Sequence, residues 1–195
     1  MNRNVLVIGG SKGTGAEAVR QFRALGDNVV FTYHKSELEA DALRQETGAI
    51  PVRCDVKFSN SVKIAADKAQ NLLGRIDVLI CDAAVCDTTP LAETEETRWE
   101  EIINTNLNGV FYCIRNVLPL MIQHRSGCII TTAPELSCEG GSCMTACSAA
   151  RAGVAGLTEA LAAELVTSGI RVRCIDCREP DAAVSAMIRF ASDEA

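Results

Sequence analysis

The sequence has no excess of positive charge and no long apolar run, and each absence excludes a class of protein. Lys and Arg number 19 against 25 Asp and Glu, a formal charge of −6, which argues against a nucleic-acid-binding surface because such surfaces carry cations. No apolar stretch approaches the roughly 18 residues of a membrane span, and residues 1–10 hold too short an apolar core for a signal peptide. We therefore expect a cytoplasmic protein that binds neither nucleic acid nor membrane.

Repeats, low-complexity tracts and linker-like segments are also missing from the sequence, so residues 1–195 are predicted to form one domain. A hydrophobic fraction of 48% and a charged fraction of 23% are ordinary for a globular protein. The ten cysteines need a separate explanation, because disulfide frameworks belong to small secreted domains. We expect reduced thiols that mostly serve as small apolar residues.

A glycine-rich turn directly follows the first predicted strand. Residues 5–8 are consecutive aliphatic residues, typical of a buried parallel strand, and Gly9, Gly13 and Gly15 then lead into a helix. Glycine lets the backbone approach a pyrophosphate closely, and a helix N-terminus offers unpaired N–H donors to an anion. The pattern favours nucleotide binding; a purely structural tight turn is the alternative.

Strands and helices alternate along the rest of the chain. The predicted strands cover 5–8, 28–32, 50–53, 76–81, 127–132 and 170–176. One predicted helix follows the glycine turn, and the others cover 36–47, 59–73, 97–123, 142–167 and 181–191. Such repeated units require right-handed crossovers. The predicted fold class is α/β, a Rossmann-like doubly wound parallel sheet of about six strands with helices on both faces.

Three motifs in this order resemble those of one family. They are the turn GGSKGTG at 9–15, the segment DVLICDAA at 77–84 and the helix WEEIINTNLNGVF at 99–111. The short-chain dehydrogenases/reductases have a similar cofactor turn, a DVLVNNAG segment and a helix that carries a structural and catalytic Asn. The resemblance runs from residue 3 to about 194 and is strongest to the 3-oxoacyl carrier-protein reductases. It implies a nicotinamide dinucleotide cofactor and an oxidoreductase site.

The resemblance also implies which residues bind the cofactor. Asp55, at the end of the third predicted strand, matches the family's acidic residue that meets the adenine. The full set is Gly9, Ser11, Lys12, Gly13, Thr14, Gly15, Tyr33, His34, Lys35, Ser36, Asp55, Val56, Ala83 and Ala84.

The end of the second predicted strand indicates which dinucleotide is preferred. NAD enzymes of this fold tend to place a carboxylate there to hold the ribose 2′-hydroxyl, whereas a 2′-phosphate needs cations and hydroxyls. Here Tyr33, His34, Lys35 and Ser36 hold that place, and Lys12 projects from the glycine turn. The sequence therefore predicts NADP(H); the alternative is that both lysines are ordinary solvated surface residues.

The catalytic residues of the family are mostly replaced. Active members use a Ser, a Tyr, a Lys four residues after the Tyr, and the helix Asn. At these places the chain has Pro134, Cys147, Arg151 and Asn106, so that only the Asn is kept. Pro has no donor, and Arg keeps the cation but loses the compact ammonium. Because positioned acid–base groups typically contribute about 10²- to 10⁴-fold, ordinary carbonyl reduction is predicted to be slow.

The C-terminal end also departs from the family pattern. Family members follow the sixth strand with a substrate-covering loop, a helix and a final strand, whereas here residues 170–180 lead almost directly to 182–195. We expect the lid and the last strand to be missing, and with them the closure that excludes water.

Two interpretations of function follow. In the first, a catalytically impaired protein binds NADP(H) and acts as a partner or regulatory subunit. The family resemblance implies association through the helices 97–123 and 142–167, as a homodimer or with a homologue. Small residues that would allow close helix packing are Ala149, Ala152, Gly153, Gly156, Ala160 and Ala163. The alternative is that this surface packs inside the chain.

In the second interpretation the protein is an NADPH-dependent oxidoreductase with atypical chemistry. Cys147 replaces the Tyr as acid–base group or nucleophile, and Arg151, one helical turn later, would lower the pKa of its thiol. No base is matched to that thiol, because His34 and His124, the only histidines, lie far from it in the alignment with the family.

Several cysteines are predicted to lie at the carboxyl edge of the sheet, where such folds bind ligands. Cys174 and Cys177, with Cys143 and Cys147, could supply four thiolates to zinc or to an iron–sulfur cluster. Residues three apart on a strand point to opposite faces, however. We therefore expect no metal and keep the four-thiolate site as an alternative.

Overall fold

The computed structural model describes residues 2–132 and 142–192, whose strands form one parallel sheet. The strands are β1 (Asn4–Ile8), β2 (Asn28–Tyr33), β3 (Ile50–Arg53), β4 (Val78–Cys81), β5 (Gly127–Thr132) and β6 (Ile170–Ile175). Their order across the sheet is β3-β2-β1-β4-β5-β6, the order of a doubly wound dinucleotide fold. The predicted fold class is confirmed.

Seven α-helices lie in the described parts of the chain. They are α1 (Gly13–Ala24), α2 (Glu37–Thr47), α3 (Ser59–Leu73), α4 (Glu96–Ile103), α5 (Gly109–His124), α6 (Thr145–Glu164) and α7 (Pro180–Ser192). The predicted elements match these within a few residues at each end. No helix in the described part of the chain is both long and apolar enough to cross a membrane.

The prediction of a single helix over 97–123 is wrong in one respect. A π-helical turn, Asn104–Asn108, separates α4 from α5. Hydrophobic spacing does not reveal such a turn, because it adds one residue to the helix while the flanking apolar residues still face the core. The turn contains Asn106, the one catalytic residue of the family that the chain retains, and π turns are frequent at functional sites.

The core lies on both faces of the sheet, which explains the unbroken aliphatic run of β1. Leu6 and Ile8 pack on the side covered by α3 and α5, while Val5 and Val7 pack on the side of α1, α2 and α7. All four side chains are buried, as expected for a central parallel strand.

Some predicted core residues are exposed instead. Helical spacing predicts an apolar face on α3 that includes Ile64 and Leu72, yet both are exposed, and so are Leu25 after α1 and Phe111 on α5. The buried residues of α3 are Val62, Ala65, Ala66 and Ala69. Ile64 is two residues from Val62, about 200° around the helix, and therefore faces away from the sheet.

Candidate functional site

A cleft of about 370 Å³ opens at the carboxyl ends of β1, β2, β3 and β4, where the strand order reverses. It gathers all the predicted cofactor residues except Gly15, which packs behind it. The cleft is lined by Gly9, Ser11, Lys12, Gly13, Thr14, Thr32, Tyr33, His34, Lys35, Ser36, Cys54, Asp55, Val56, Lys57, Asp82, Ala83, Ala84, Val85, Glu101 and Thr105.

The glycines of the turn have separate physical roles. A Cβ on Gly9 would lie 2.6 Å from backbone atoms of Ala83, and one on Gly15 would lie 2.5 Å from the carbonyl oxygen of Gly9. Gly9 therefore lets the turn approach the backbone just after β4, and Gly15 lets the start of α1 pack against the turn itself. Gly13, in contrast, has φ +55° and no atom within 4 Å of its Cβ position, so its backbone faces open space.

The helix that follows the turn presents its N-terminus to the cleft. Lys12 is the N-cap residue of α1 and its side chain does not cap the helix, while the Gly15 N–H in the first turn donates to the Asp82 carboxylate. Such a terminus favours an anion, because the N–H groups and the helix dipole both attract negative charge. The open backbone at Gly13 and this terminus fit a dinucleotide pyrophosphate.

One wall of the cleft is built around Asp55, just after β3. The Asp55 carboxylate accepts a hydrogen bond from the Lys57 backbone N–H at 3.1 Å, and His34 Nε2 lies 3.4 Å from its other oxygen. Lys57 Nζ is 3.7 Å from Glu101 Oε1. The sequence analysis did not single out Lys57 or Glu101, because only the fold brings α4 beside β3.

The two predicted phosphate-binding lysines differ in their surroundings. Both Lys12 and Lys35 line the cleft, but Lys12 Nζ is paired with Glu39 Oε1 at 2.8 Å. The lysine lowers the pKa of Glu39 through this hydrogen bond. The side chains of this pair are 61% and 47% exposed, so solvent screens it and an incoming phosphate can compete for the lysine.

A partly buried carboxyl group, Asp82, lies beside the glycine turn. It accepts hydrogen bonds from the Thr132 hydroxyl at 2.7 Å and from the Gly15 backbone N–H. Burial raises the pKa of Asp82 to about 6, although both hydrogen bonds oppose that rise. In the segment 77–84, Asp82 stands where the similar DVLVNNAG segment of the family has its second Asn.

At the other end of the cleft, Asn106 is fully engaged by the loop after β4. Its side-chain oxygen accepts from the Val85 N–H at 2.8 Å, and its side-chain nitrogen donates to the Val85 carbonyl at 2.7 Å. The Asn side chain therefore fixes the loop that borders the cleft. A second anchor, missed in the sequence, is Arg98, which donates to the Asp87 carboxylate at 2.7 Å and to the Cys86 carbonyl at 3.0 Å.

Cys147, at the position of the family Tyr, is only 1% exposed. Its sulfur accepts a hydrogen bond from the Asp87 N–H at 3.4 Å and lies 4.0 Å from the Val85 carbonyl oxygen. Arg151, four residues later on α6, is partly exposed. Pro134, at the position of the family Ser, lies outside the described residues.

The proposed four-thiolate metal site is not assembled. Within residues 2–132 and 142–192, no three His, Cys, Asp or Glu side chains are grouped as metal ligands. Cys147 is buried beside Asp87, whereas burial raises the pKa of Cys177 to about 11, which disfavours the thiolate that a metal needs.

Comparisons with known proteins agree with this fold and site. Residues 3–189 match the family described as short chain dehydrogenase. The chain is 33% identical over its whole length to a 3-oxoacyl-acyl-carrier-protein reductase of Staphylococcus epidermidis, of which it covers 80%. It is 34% identical over 86% of its length to a 2-dehydro-3-deoxy-L-rhamnonate dehydrogenase (NAD(+)) of Sphingomonas sp., of which it covers 68%.

A solved structure is also closely similar. It is a metagenomic short-chain oxidoreductase in complex with NADP, with a TM-score of 0.93, 27% identity and coverage of 98% of this chain and 91% of that one. Fold and site thus define a doubly wound α/β protein with its ligand cleft at the switch point of the sheet. The chain belongs to the short-chain dehydrogenase/reductase family, and the resemblance to its 3-oxoacyl carrier-protein reductases is confirmed.

Proposed function

We propose that the protein binds NADP(H) in the cleft at the switch point but is impaired in catalysis, and that it acts as a partner or regulatory subunit. The observation that carries the proposal is the buried thiol of Cys147, which stands where the family has a Tyr and is only 1% exposed. Its sulfur is enclosed by the Val85 and Asp87 backbone. A thiol so placed cannot present a proton to a carbonyl in the cleft.

The preference for NADP(H) is supported by the charges around the cleft. Residues 33–36, which line the cleft at the end of β2, include no acid, and Lys12 lines the same cleft from the glycine turn. Among relatives, the metagenomic structure contains NADP, whereas the Sphingomonas enzyme is named for NAD(+). When bound, the dinucleotide supplies hydride chemistry; the chain itself supplies the turn, the helix N-terminus and the cations.

Association through α6 is supported by the exposure of its small residues. Ala149, Ala152, Gly156, Ala160 and Ala163 are exposed, so most of this face does not pack inside the chain. Gly153 is the exception, because a Cβ there would lie 2.9 Å from Leu107. A second helix could approach the remaining residues closely, in a homodimer or with a homologue.

The second candidate function, an NADPH-dependent oxidoreductase that uses Cys147, has one observation in its favour. The Asp87 N–H donates to the Cys147 sulfur at 3.4 Å, and such a bond stabilises a thiolate. Against it, the thiol is buried and no histidine stands near it.

The first experiment is a fluorescence titration with NADPH and, separately, NADH. We expect NADPH to bind in the micromolar range and NADH more weakly. Lys35→Ala should weaken NADPH binding about tenfold, which corresponds to about 1.4 kcal/mol, and should leave NADH binding nearly unchanged. Lys68→Ala, an exposed lysine on α3 away from the cleft, is the control. If neither dinucleotide binds, the turn is purely structural.

Turnover separates the two candidate functions. We expect negligible NADPH oxidation with generic ketones, because the donor positions of the family are lost. A turnover number on the order of 1 s⁻¹, at the low end of the usual enzyme range, would favour the oxidoreductase instead.

A further inference from the structure

Two cysteines that are distant in sequence meet beside the cleft. Cys86 lies in the loop after β4 and is exposed, whereas Cys147 lies in the first turn of α6 and is buried. The two side chains are near enough that the Cys147 thiol raises the pKa of Cys86. Both also lie over one carbonyl oxygen, that of Asp87, at 4.0 Å from the Cys86 sulfur and 3.9 Å from the Cys147 sulfur.

The surroundings hold the two sulfurs in place. Arg98 donates to the Cys86 carbonyl and to the Asp87 carboxylate, and Asn106 bonds both backbone groups of Val85. The Cys147 side chain packs with Ile102 and Ala146 in a small apolar cluster. Val85, Trp99 and Met144 pack against that cluster. These contacts hold both sulfurs beside the same Asp87 carbonyl oxygen.

We propose that Cys86 and Cys147 form a reversible disulfide when the protein meets a small-molecule disulfide oxidant. The Cys86 thiolate attacks one sulfur of the oxidant and expels the other as a thiolate, which leaves a mixed disulfide on Cys86. The Cys147 thiol then loses its proton and attacks the Cys86 sulfur, releasing the second oxidant thiol. The two protein thiols are oxidised by two electrons, the oxidant is reduced to two thiols, and the protons pass to them.

The difference in exposure assigns the order of the two steps. Of these two thiols, only that of Cys86 can be reached by an oxidant from solution. Cys147 therefore serves as the resolving thiol. Burial and the neighbouring Cys147 thiol raise the pKa of Cys86, while Arg151 and a hydrogen bond to Asp87 oppose that rise. The Cys81 thiol likewise raises the pKa of Cys113, but both of these cysteines are buried and neither is accessible to such an oxidant.

The disulfide would affect the cleft directly. It would tie the loop after β4 to the start of α6, and Val85 of that loop lines the cleft. The redox state of the two thiols would thereby change how freely this wall of the cleft can move when a ligand enters.

The test is oxidation of the reduced, purified protein with glutathione disulfide, followed by peptide mapping by mass spectrometry and reversal with dithiothreitol. We expect the loss of two free thiols and a linked pair of peptides whose fragmentation places the bridge at Cys86 and Cys147. Cys174→Ser, which changes a partly exposed thiol elsewhere, should give the same bridge. This mapping of the unmodified chain needs no variant to fold.

Single variants test the order of the steps. Cys147→Ser should accumulate one glutathione adduct on Cys86, because the resolving thiol is gone, whereas Cys86→Ser should form no adduct on the buried Cys147. A bridge between Cys174 and Cys177 in place of the predicted one, or no bridge at all, would overturn the proposal. So would an adduct on Cys147 in the Cys86→Ser protein.

Discussion

At the scale of single residues, Asp82 makes the clearest electrostatic contribution. A carboxyl group whose pKa is raised by burial to about 6 prefers the protonated form in the folded state. The stability that the protonated Asp82 contributes is therefore complete below the pKa of an Asp in the unfolded chain, near 4. It is lost as the pH rises through the folded pKa of about 6. A shift of about two units corresponds to about 3 kcal/mol at most.

Asp82→Asn should remove this pH dependence. An Asn amide can accept from the Gly15 N–H and donate to the Thr132 hydroxyl, which can itself turn to the Cys81 carbonyl 3.2 Å away. The variant therefore imitates the protonated acid. We expect it to be about 1–3 kcal/mol more stable than the original chain at pH 8 and nearly equal at pH 4. Urea unfolding at both pH values measures this, and an equal difference at both would contradict it.

The glycines of the turn allow packing and ligand binding to be separated. Gly15→Ala places a Cβ 2.5 Å from the Gly9 carbonyl oxygen, a backbone atom that cannot turn aside. We expect a loss of about 1–3 kcal/mol in the free energy of unfolding. The matched variant Gly13→Ala meets no atom, so it should cost only about 1 kcal/mol for its positive φ.

The two variants should also differ in their effect on ligand binding. Gly15→Ala should mainly lower stability, whereas Gly13→Ala should mainly lower NADPH affinity. Gly13→Ala adds a methyl group to the open side of the turn, so NADPH affinity should fall by more than the small change in stability suggests. Thermal unfolding and fluorescence titration of both variants measure the two effects. A stable Gly15→Ala protein would show that the turn can shift, contrary to the packing argument.

At the scale of elements, the exposed small residues of α6 have a testable consequence. Gly156 has no atom within 4 Å of its Cβ position. Gly156→Arg should therefore leave the isolated chain folded but block the approach of another helix. We expect the proposed association through α6 to weaken at least tenfold, about 1.4 kcal/mol, in sedimentation experiments. Leu38→Arg, at an 85% exposed position on α2, is the control. Equal effects of both variants would argue against α6 as the interface.

Most strands and helices could be predicted from the sequence, because the spacing of their apolar residues follows from packing on a sheet that is covered on both faces. The sequence did not reveal the π turn at Asn104–Asn108 or the exposure of Ile64, since both depend on how a helix is rotated against its neighbours. The glycine turn was predictable from local backbone requirements. The roles of Arg98 and Asp82 were not, because they depend on contacts between segments that only the fold brings together.

At the scale of the whole molecule, catalysis requires several parts at once. A dinucleotide cleft, donors for the substrate oxygen and exclusion of water each contribute separately to the rate. This chain retains the cleft and Asn106, but the donor position on α6 is occupied by a thiol packed among Ile102, Ala146 and their neighbours. The organisation of residues 1–195 as one domain without a lid stays a prediction.

Restoring the family residues should therefore not restore the activity. In the triple variant Pro134→Ser, Cys147→Tyr and Arg151→Lys, the larger Tyr enters a site where Cys147 is already 1% exposed, and overpacking of this kind costs about 1–3 kcal/mol. We expect a lower thermal midpoint, NADPH binding within a few-fold of the original chain, and turnover with ketones well below about 1 s⁻¹. Cys147→Ser, which adds no volume, controls for loss of the thiol. If the triple variant instead turns over at about 1 s⁻¹ or faster, the missing donors alone account for the proposed impairment, and the rest of the molecule is already built for catalysis.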